Sequence, residues 1–347
     1  MSGKSKRRAG ILGLGMAAAP HVLSLLDLSD RVTVVGAFAP SEARRTAFGA
    51  RFGLPVVETA EALFDDPSID YLVVLTPPNT HLDLVERAAR TGKAVLLEKP
   101  LEVTLERSRQ LVAAAARIPL GITFQRRFRP SFMETARLMR DGALGEIVSA
   151  TMALGNWRPQ AYYDEPGRGT WARDGGGVLL TQAIHTIDQF IALVGLPTDV
   201  SALAVTSAVH RMETEDLVHA TLRFAGGAIG ALSATTAAYP GLPDRIQLFG
   251  TRGSALLEGD GARVQLMDGG TFAWSDTDGG SGADPMAFSH HNHLALHRDF
   301  LDALDQGSAP SASADDALAA HRLIDAILRS AETGCWARLD ADVPLPG

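Results

Sequence analysis

Several features that would define a protein class are scarce or missing in this chain. Cys335 is the only cysteine among the 347 residues, which excludes an internal disulfide and a thiolate metal cluster. The net charge of −8 excludes the overall basic character typical of nucleic-acid binding. No apolar run reaches about 18 residues, and no secretory signal precedes the first apolar segment. We therefore expect a cytoplasmic globular protein with neither a nucleic acid nor a membrane as partner.

The length is sufficient for about two domains, and the first is predicted over residues 1–122. Short apolar runs alternate there with helical patterns. The predicted strands are residues 9–12, 32–36, 55–57, 71–75, 94–97 and 120–124. Such alternation implies parallel pairing through right-handed crossovers, hence a doubly wound sheet of the Rossmann type with six strands.

The pattern changes over residues 123–347, the predicted second domain. Strand-like runs there follow one another through short glycine-rich turns, which predicts a large and mostly antiparallel sheet. Residues 268–285 are rich in Gly, Ser and Asp and are predicted to form a loop, and two helices close the fold. The fold class is α/β, with a Rossmann domain followed by an α+β domain carrying an open sheet.

A glycine motif joins the first predicted strand to the first predicted helix. Its sequence, Gly13-Leu14-Gly15-Met16-Ala17-Ala18, has the form G-x-G-x-x-A. The glycines let the backbone approach a pyrophosphate, which the helix N-terminus attracts. In this context the motif predicts a dinucleotide site formed by Gly13, Gly15, Met16 and Ala17.

The type of nicotinamide cofactor depends on the end of the second predicted strand. An acid there usually holds the ribose hydroxyls of NAD, but residues 36–41 contain none. Ser41 and Arg44 follow, and an arginine nearby can bind the 2′-phosphate of NADP. The alternative is that this arginine is an exposed helix residue. We expect NAD(P), with NADP favoured.

A lysine stands at the end of the strand predicted over residues 94–97, in the sequence Glu98-Lys99-Pro100. Proline cannot continue a central strand, so the sheet ends at Lys99. Ligands of open parallel sheets bind beyond the carboxyl ends of the strands. The position predicts a functional lysine, whereas an isolated Lys-Pro would more often be a surface turn.

Together with the glycine motif, three further motifs occur in an order that resembles one known family. They are Thr76-Pro77-Pro78-Asn79-Thr80-His81, Glu98-Lys99-Pro100, and the glycines 175–177 that precede His185. The chain resembles the glucose-fructose oxidoreductase/inositol dehydrogenase/MocA (Gfo/Idh/MocA) family over nearly its whole length. The resemblance implies an NAD(P)-dependent dehydrogenase that acts on a secondary alcohol of a sugar, cyclitol or related ring. It also implies a homodimer or homotetramer formed through the outer face of the large sheet.

The resemblance assigns roles to individual residues. Lys99 matches the lysine that contacts the substrate hydroxyl, and His185 matches the histidine that accepts its proton. Glu98 matches the acid beside the nicotinamide ribose. The loop along the cofactor is matched by Thr76, Pro77, Asn79 and His81. Thr181 stands where many polyol dehydrogenases of the family carry an aspartate.

Substrate contacts are expected from a region dense in aromatic and basic side chains, because aromatic faces stack on sugar rings and arginine binds carboxylates. The candidate substrate residues are Arg126, Trp157, Arg158, Tyr163, Trp171, Thr181 and His185. Ordinary packing is the alternative for the aromatic residues. His293 and His297 have helical i, i+4 spacing, but no H-E-x-x-H motif surrounds them, so no metal is predicted.

Two other functions fit the same sequence features. One is a glycosidase that oxidises its sugar transiently with bound NAD. The other is a cofactor-binding regulator without catalytic activity. The presence of Lys99 and His185 favours an enzyme. Because Thr181 replaces the aspartate of many relatives, a regulator remains an alternative.

Overall fold

The computed structural model describes residues 6–276 and 289–339. The chain forms two compact units. The first comprises Met1–Gln125 and Ser289–Ala317, and the second comprises Arg126–Phe288 and Leu318–Gly347. The boundary after residue 122 stays a prediction, and the family models reported below do not decide it. By its contacts, however, the segment from residue 289 to 317 packs with the first unit.

Strands and helices alternate through the first part of unit 1. In chain order the elements are β1 (Arg7–Leu12), α1 (Ala18–Asp27), β2 (Val32–Phe38), α2 (Glu42–Phe52), α3 (Glu61–Phe64), β3 (Tyr71–Val74), α4 (His81–Arg90), β4 (Ala94–Leu97), α5 (Leu105–Ala114) and β5 (Leu120–Ile122). All pairings are parallel, in the order β2-β1-β3-β4-β5. Every residue of β3 and β4 is buried, as expected for strands covered on both faces.

Unit 2 contains the large sheet and the helices beside it. Its elements are α6 (Pro130–Arg140), β6 (Ile147–Gly155), α7 (Gln160–Tyr163), α8 (Trp171–Asp174), a π-helical segment (Leu179–Ala183), α9 (Ile184–Val194), β7 (Asp199–Val205), β8 (Leu217–Arg223), β9 (Ile229–Thr235), β10 (Arg245–Gly250), β11 (Gly253–Glu258), β12 (Gly261–Leu266) and β13 (Thr271–Ser275). The strand order is β13-β12-β11-β10-β6-β9-β8-β7-β14, where β14 is Ala337–Arg338. Within this sheet, only β6 and β9 pair in parallel among the described strands, so the prediction of a mostly antiparallel sheet is confirmed.

Two long helices complete the described chain. The first, α10 (His291–Gln306), belongs to unit 1 and packs on α1. The second, α11 (Ala314–Thr333), begins in unit 1 and continues into unit 2. The stretch Trp171–Val194 is long and apolar enough to cross a membrane, but 72% of its most apolar window is buried, as in a core helix.

Two details of the predicted secondary structure are wrong. Residues 55–57 are not a strand, so the described parallel sheet has five strands rather than six. The segment makes a backbone hydrogen bond from Val57 N to Ala37 O, which does not extend into a ladder. The loop predicted over residues 268–285 contains strand β13, whose pairing with β12 its local composition does not reveal. Residues 277–285 of that prediction lie outside the described part of the chain.

Candidate active site

Three of the predicted segments meet at one edge of the parallel sheet. Strands β1, β3 and β4 are consecutive neighbours in the sheet order. The glycine motif follows β1, the loop that starts at Thr76 follows β3, and Glu98-Lys99 follows β4. Because the carboxyl ends of parallel strands meet at the same edge, the structure brings these three segments together in unit 1.

The glycine turn has the shape that a dinucleotide requires. Gly13 has φ +99°, and a Cβ there would lie 2.6 Å from the backbone of Leu75. A Cβ on Gly15, by contrast, would meet no heavy atom within 4 Å, so the backbone there faces open space. No side chain of the N-cap residue, Ala17, covers the N-terminus of α1, and Met16 is exposed. These features fit a pyrophosphate bound over Gly15 at the helix N-terminus.

Arg44 and Arg45, in the first turn of α2, have different surroundings. Ser41 caps the helix, since its hydroxyl oxygen accepts a hydrogen bond from the Arg44 N–H at 3.3 Å. Arg45 is folded back, and its Nη1 donates to Ala39 O at 2.7 Å and to Pro40 O at 3.0 Å. Arg44 is exposed. Of the two, Arg44 is therefore the one presented to solvent beside the capping serine.

His81 holds two of the converging segments together. Its ring is fully buried, with Nε2 2.9 Å from Thr76 O, and Nδ1 3.0 Å from Pro100 O and 3.1 Å from Leu101 O. Burial lowers the pKa of His81, and the three carbonyl oxygens oppose that shift. These contacts position the loop that is expected to lie along the cofactor, and the cofactor role of His81 itself stays a prediction. Thr80 supports the same loop, because its hydroxyl lies 2.8 Å from Thr76 Oγ1.

Glu98 and Lys99 form a compact corner after β4. Glu98 Oε2 accepts a hydrogen bond from the backbone N–H of Lys99 at 2.9 Å, so the carboxylate is held by the residue that follows it. The side chain of Glu98 is 14% exposed, and Lys99 is half-buried. The peptide bond between Lys99 and Pro100 is cis. Pro77 and Asn79 lie in the neighbouring loop, which continues as a short 3₁₀ turn, Pro78–Thr80.

His185 lies in the first turn of α9, directly after the π-helical segment, and is 8% exposed. Thr181 lies within that segment, where its hydroxyl donates to Gly177 O at 2.6 Å and also contacts Gln182 Oε1. π-Helical turns inside helices occur frequently at functional sites. The irregular winding means that the i, i+4 geometry assumed for Thr181 and His185 does not apply strictly.

A buried carboxylate that sequence reasoning missed, Glu215, holds the start of this helix. Glu215 Oε2 accepts from Gly177 N at 3.0 Å, Oε1 accepts from Leu179 N at 3.2 Å, and the Glu215 backbone oxygen accepts from Val178 N at 2.8 Å. Burial raises the pKa of Glu215, and the backbone N–H donors oppose that shift. Since its folded pKa lies above the ordinary value of a glutamate, this carboxyl contributes stability at low pH that is lost as the pH rises through the folded pKa.

The contact between Gly177 and Glu215 predicts a large effect on stability. A Cβ on Gly177 would lie 1.8 Å from Glu215 O, so Gly177→Ala must displace the turn before His185. We expect the free energy of unfolding to fall by about 3 kcal/mol, measured by urea denaturation. The matched control is Gly226→Ala, because a Cβ there would meet nothing within 4 Å, and its effect is expected within about 0.5 kcal/mol. An equal fall in the free energy of unfolding in both variants would contradict the importance of the contact between Gly177 and Glu215.

Ion pairs inside unit 2 occupy Arg126, which was expected near the substrate, and its neighbour Arg127. Arg127 binds Asp188 through two parallel bonds, Nε to Oδ2 at 2.8 Å and Nη2 to Oδ1 at 2.6 Å. Arg126 Nη1 lies 2.5 Å from Asp244 Oδ2 and 3.2 Å from Thr186 Oγ1. Arg126 is therefore anchored to α9 at Thr186, the residue directly after His185, and its guanidinium is paired with a carboxylate.

The aromatic cluster divides into buried and exposed members. Tyr163 is buried, its hydroxyl is 2.8 Å from Thr236 Oγ1, and burial raises its pKa to about 12. Arg158 is also buried, with Nη1 donating to Trp157 O at 2.8 Å. Trp157 is half-buried, and Trp171 is 49% exposed. Packing accounts for Tyr163 and Arg158, whereas the faces of the two tryptophans are more open.

A second buried acid lies beside Glu215. Asp216 Oδ2 is 2.6 Å from His210 Nδ1, and His210 Nε2 is 2.8 Å from Arg158 O. The sequence signal for both acids is the pair Glu215-Asp216 directly before strand β8. The partners of Glu215 are distant in the chain, whereas His210 lies six residues before Asp216.

Two family models match the chain. "Oxidoreductase family, NAD-binding Rossmann fold" matches residues 7–121, and "GFO/IDH/MocA C-terminal domain" matches residues 132–256. Inositol 2-dehydrogenase of Rhizobium meliloti is 29% identical over 93% of this chain and 96% of its own length. The scyllo-inositol 2-dehydrogenase (NADP(+)) of Bacillus subtilis is 24% identical over 94% of each chain.

A solved structure extends the similarity to three dimensions. The WlbA dehydrogenase of Bordetella pertussis, in complex with NADH and UDP-GlcNAcA, has a TM-score of 0.84 and 26% identity. The match covers 97% of this chain and 100% of that one. Both family models, these relatives and the glycine turn indicate the same family. The chain belongs to the Gfo/Idh/MocA family of oxidoreductases, whose N-terminal domain is an NAD-binding Rossmann fold.

Proposed function

We propose that this enzyme oxidises a secondary alcohol of a sugar, cyclitol or related ring, using NAD(P). The observation that carries the proposal is the convergence of the glycine turn, the Thr76 loop and Glu98-Lys99 at one sheet edge. Relatives named for inositol oxidation, and a neighbour solved with a nucleotide sugar, support a ring substrate with several hydroxyl groups.

The chemistry needs a group that accepts the hydroxyl proton and a group that stabilises the oxygen. Bound NAD(P) supplies the hydride acceptor. Histidine side chains titrate near pH 6.5 in solution, so His185 is the better proton acceptor; a lysine titrates near about 10.4. Lys99, as a cation, orients the hydroxyl oxygen and stabilises its developing negative charge.

Thr181 changes what surrounds the base. Its hydroxyl donates to Gly177 O at 2.6 Å, which ties it to the turn before the helix. A hydroxyl does not supply the negative charge that an aspartate at this position would supply to a histidine. We propose that His185 works without a carboxylate at this position, and that Asp188, which is bound to Arg127, serves the ion pair instead.

A screen of sugars and cyclitols with NAD and NADP tests the proposal. We expect that a polyol substrate causes a sustained rise in the absorbance of the reduced nicotinamide. Release of a sugar product without net reduction of the cofactor would instead support the glycosidase, since that reaction returns the hydride. No turnover with either readout, combined with tight cofactor binding, would support the regulator.

We also propose that the cofactor is NADP. Residues 36–41, at the end of β2 and just beyond it, contain no acid, and Arg44 is exposed beside Ser41. A hydrogen bond to a charged group contributes about 1.5–3 kcal/mol, so Arg44→Ala should raise KM for NADP about tenfold or more and leave KM for NAD nearly unchanged. Arg51→Ala, at an exposed position of the same helix, is the control. A similar change in both KM values would contradict the proposal.

The oligomeric state and the cellular compartment of the enzyme are proposed from the resemblance to the family. Leu203 on β7 and Ile229 on β9, the strands on either side of β8, are more than 60% exposed on the outward side of the large sheet, as expected of a face that another copy covers. We propose a cytoplasmic homodimer or homotetramer formed through this face. Light scattering after size-exclusion chromatography measures the number of chains.

A further inference from the structure

Three buried histidines and one carboxylate form a cluster in unit 1 that the proposed reaction does not use as a group. His21 lies on α1, and His293 and His297 lie on α10, one turn apart. Their exposed fractions are 0%, 2% and 0%. The ring of His21 meets the other two edge-on, with centroid distances of 5.0 Å and 5.1 Å. Glu98 completes the cluster.

The spacing of the polar atoms fits metal ligands. His21 Nε2 lies 3.3 Å from Glu98 Oε1, and one atom each from His21, Glu98 and His293 lie within 4.8 Å of one another. Tetrahedral Zn²⁺ with bonds of about 2.0–2.1 Å holds its ligand atoms about 3.3–3.4 Å apart. The first pair is already at this spacing, and a small rotation of His293 closes the rest.

His297 fits the role of an outer partner. Its Nε2 lies 2.9 Å from His21 Nδ1, the ring nitrogen that faces away from Glu98. A metal-bound histidine usually donates its other ring N–H to such a partner, which fixes its tautomer and orientation. His297 Nδ1 is buried and has no hydrogen-bond partner among residues 6–276 and 289–339. Packing alone does not explain so polar a cluster in an apolar interior.

The donor atoms of the cluster indicate the kind of metal that it would bind. Neutral imidazole nitrogens together with one carboxylate oxygen suit Zn²⁺ and similar transition metals rather than Ca²⁺ or Mg²⁺. The carboxylate is the least buried member, with 14% of its side chain exposed, so it marks the entry side.

We propose that His21, Glu98 and His293 bind a transition-metal cation of the Zn²⁺ type, with His297 holding His21 in position. The missing H-E-x-x-H motif around His293 and His297 argued against a metal in the sequence, because two of the three proposed ligands, His21 and Glu98, come from other elements of the chain. The site does not depend on the identity of the substrate. Its carboxylate ligand, Glu98, directly precedes Lys99 in the chain. The proposed metal is therefore close to the residue that is expected to act in catalysis.

The test uses the full chain, freed of metal with a chelator and titrated with Co²⁺ and Zn²⁺. We expect one equivalent per chain by calorimetry, and the visible absorption of four-coordinate Co²⁺. His293→Gln should weaken binding more than about 100-fold, and His297→Gln about 10- to 100-fold. His291→Gln is the matched control, because His291 is exposed on the same helix, and it should bind as the native chain does.

Thermal melting without metal shows which variants fold. If His293→Gln does not, the Co²⁺ spectrum of the native chain and the affinity of His297→Gln decide the question. The proposal is overturned if the native chain binds well under one equivalent or gives only six-coordinate Co²⁺. It is equally overturned if His291→Gln loses as much affinity as His297→Gln, since the metal then binds on the surface.

Discussion

Replacing His185 by asparagine should lower kcat for alcohol oxidation by about 10²–10⁴-fold, the usual contribution of a positioned general base. The asparagine amide fills much of the ring's space but does not accept a proton at working pH. His185 is 8% exposed, at the start of α9, so the substitution removes a largely sheltered base rather than a surface histidine. The measurement is steady-state kinetics with the polyol found in the screen.

The dependence of kcat on pH distinguishes a base from a structural residue. A histidine base must be neutral to accept the proton, so oxidation by the native enzyme should slow as the pH falls through the pKa of that base. This acid limb should disappear in His185→Asn. His219→Asn is the matched control, because His219 is an exposed histidine of unit 2, on β8. An acid limb that persists in His185→Asn would show that another group takes the proton.

The second large effect is expected at Lys99. Lys99→Met keeps most of the side-chain volume and removes the charge, and it should lower kcat about 10²–10³-fold, the scale measured for loss of one oxyanion-stabilising group. The backbone N–H of Lys99 still holds Glu98 Oε2, at 2.9 Å in the native chain. Cofactor binding should therefore change little, and KM for the cofactor should stay within about twofold.

Two companion variants of Lys99→Met separate charge from position. Lys99→Arg keeps the cation and should recover part of kcat, because the longer guanidinium reaches a similar place with different geometry. Lys6→Met, at an exposed lysine of the same unit, should behave like the native enzyme. A loss confined to KM, with kcat intact, would make Lys99 a binding residue without a role in the transition state.

Much of the fold was predictable because it follows local rules. Strands such as β3 and β4 are short runs of apolar residues, and helices between them force parallel pairing. The failures occurred where local pattern and tertiary pairing disagree. Residues 55–57 are apolar enough for a strand, yet no ladder forms there. The stretch that contains β13 has a composition that suggests a loop. β13 is nevertheless a strand, because it pairs with β12.

The residues of the candidate site also fall into two groups, those marked by local motifs and those whose contacts appear only in the fold. Gly13, Gly15, Lys99 and His185 were found from motifs, which are contiguous in the chain. Glu215 was missed because its partners, Gly177 and Leu179, lie 36 to 38 residues away and nothing local marks the contact. His81 was matched to the cofactor loop by its motif, whereas its three carbonyl partners appear only in the folded loop.

The return of the chain to unit 1 has a consequence for folding during synthesis. Phe300 packs against Tyr71 at 5.5 Å between ring centroids, and Ile122 N donates to Ala312 O at 3.0 Å. These partners leave the ribosome only after the whole strand run of unit 2, from β6 to β13, has been made. At about 5–20 residues per second the delay is on the order of ten seconds or more. The nucleotide-binding unit, although first in the chain, is therefore completed late, with one flank of its apolar core uncovered until then.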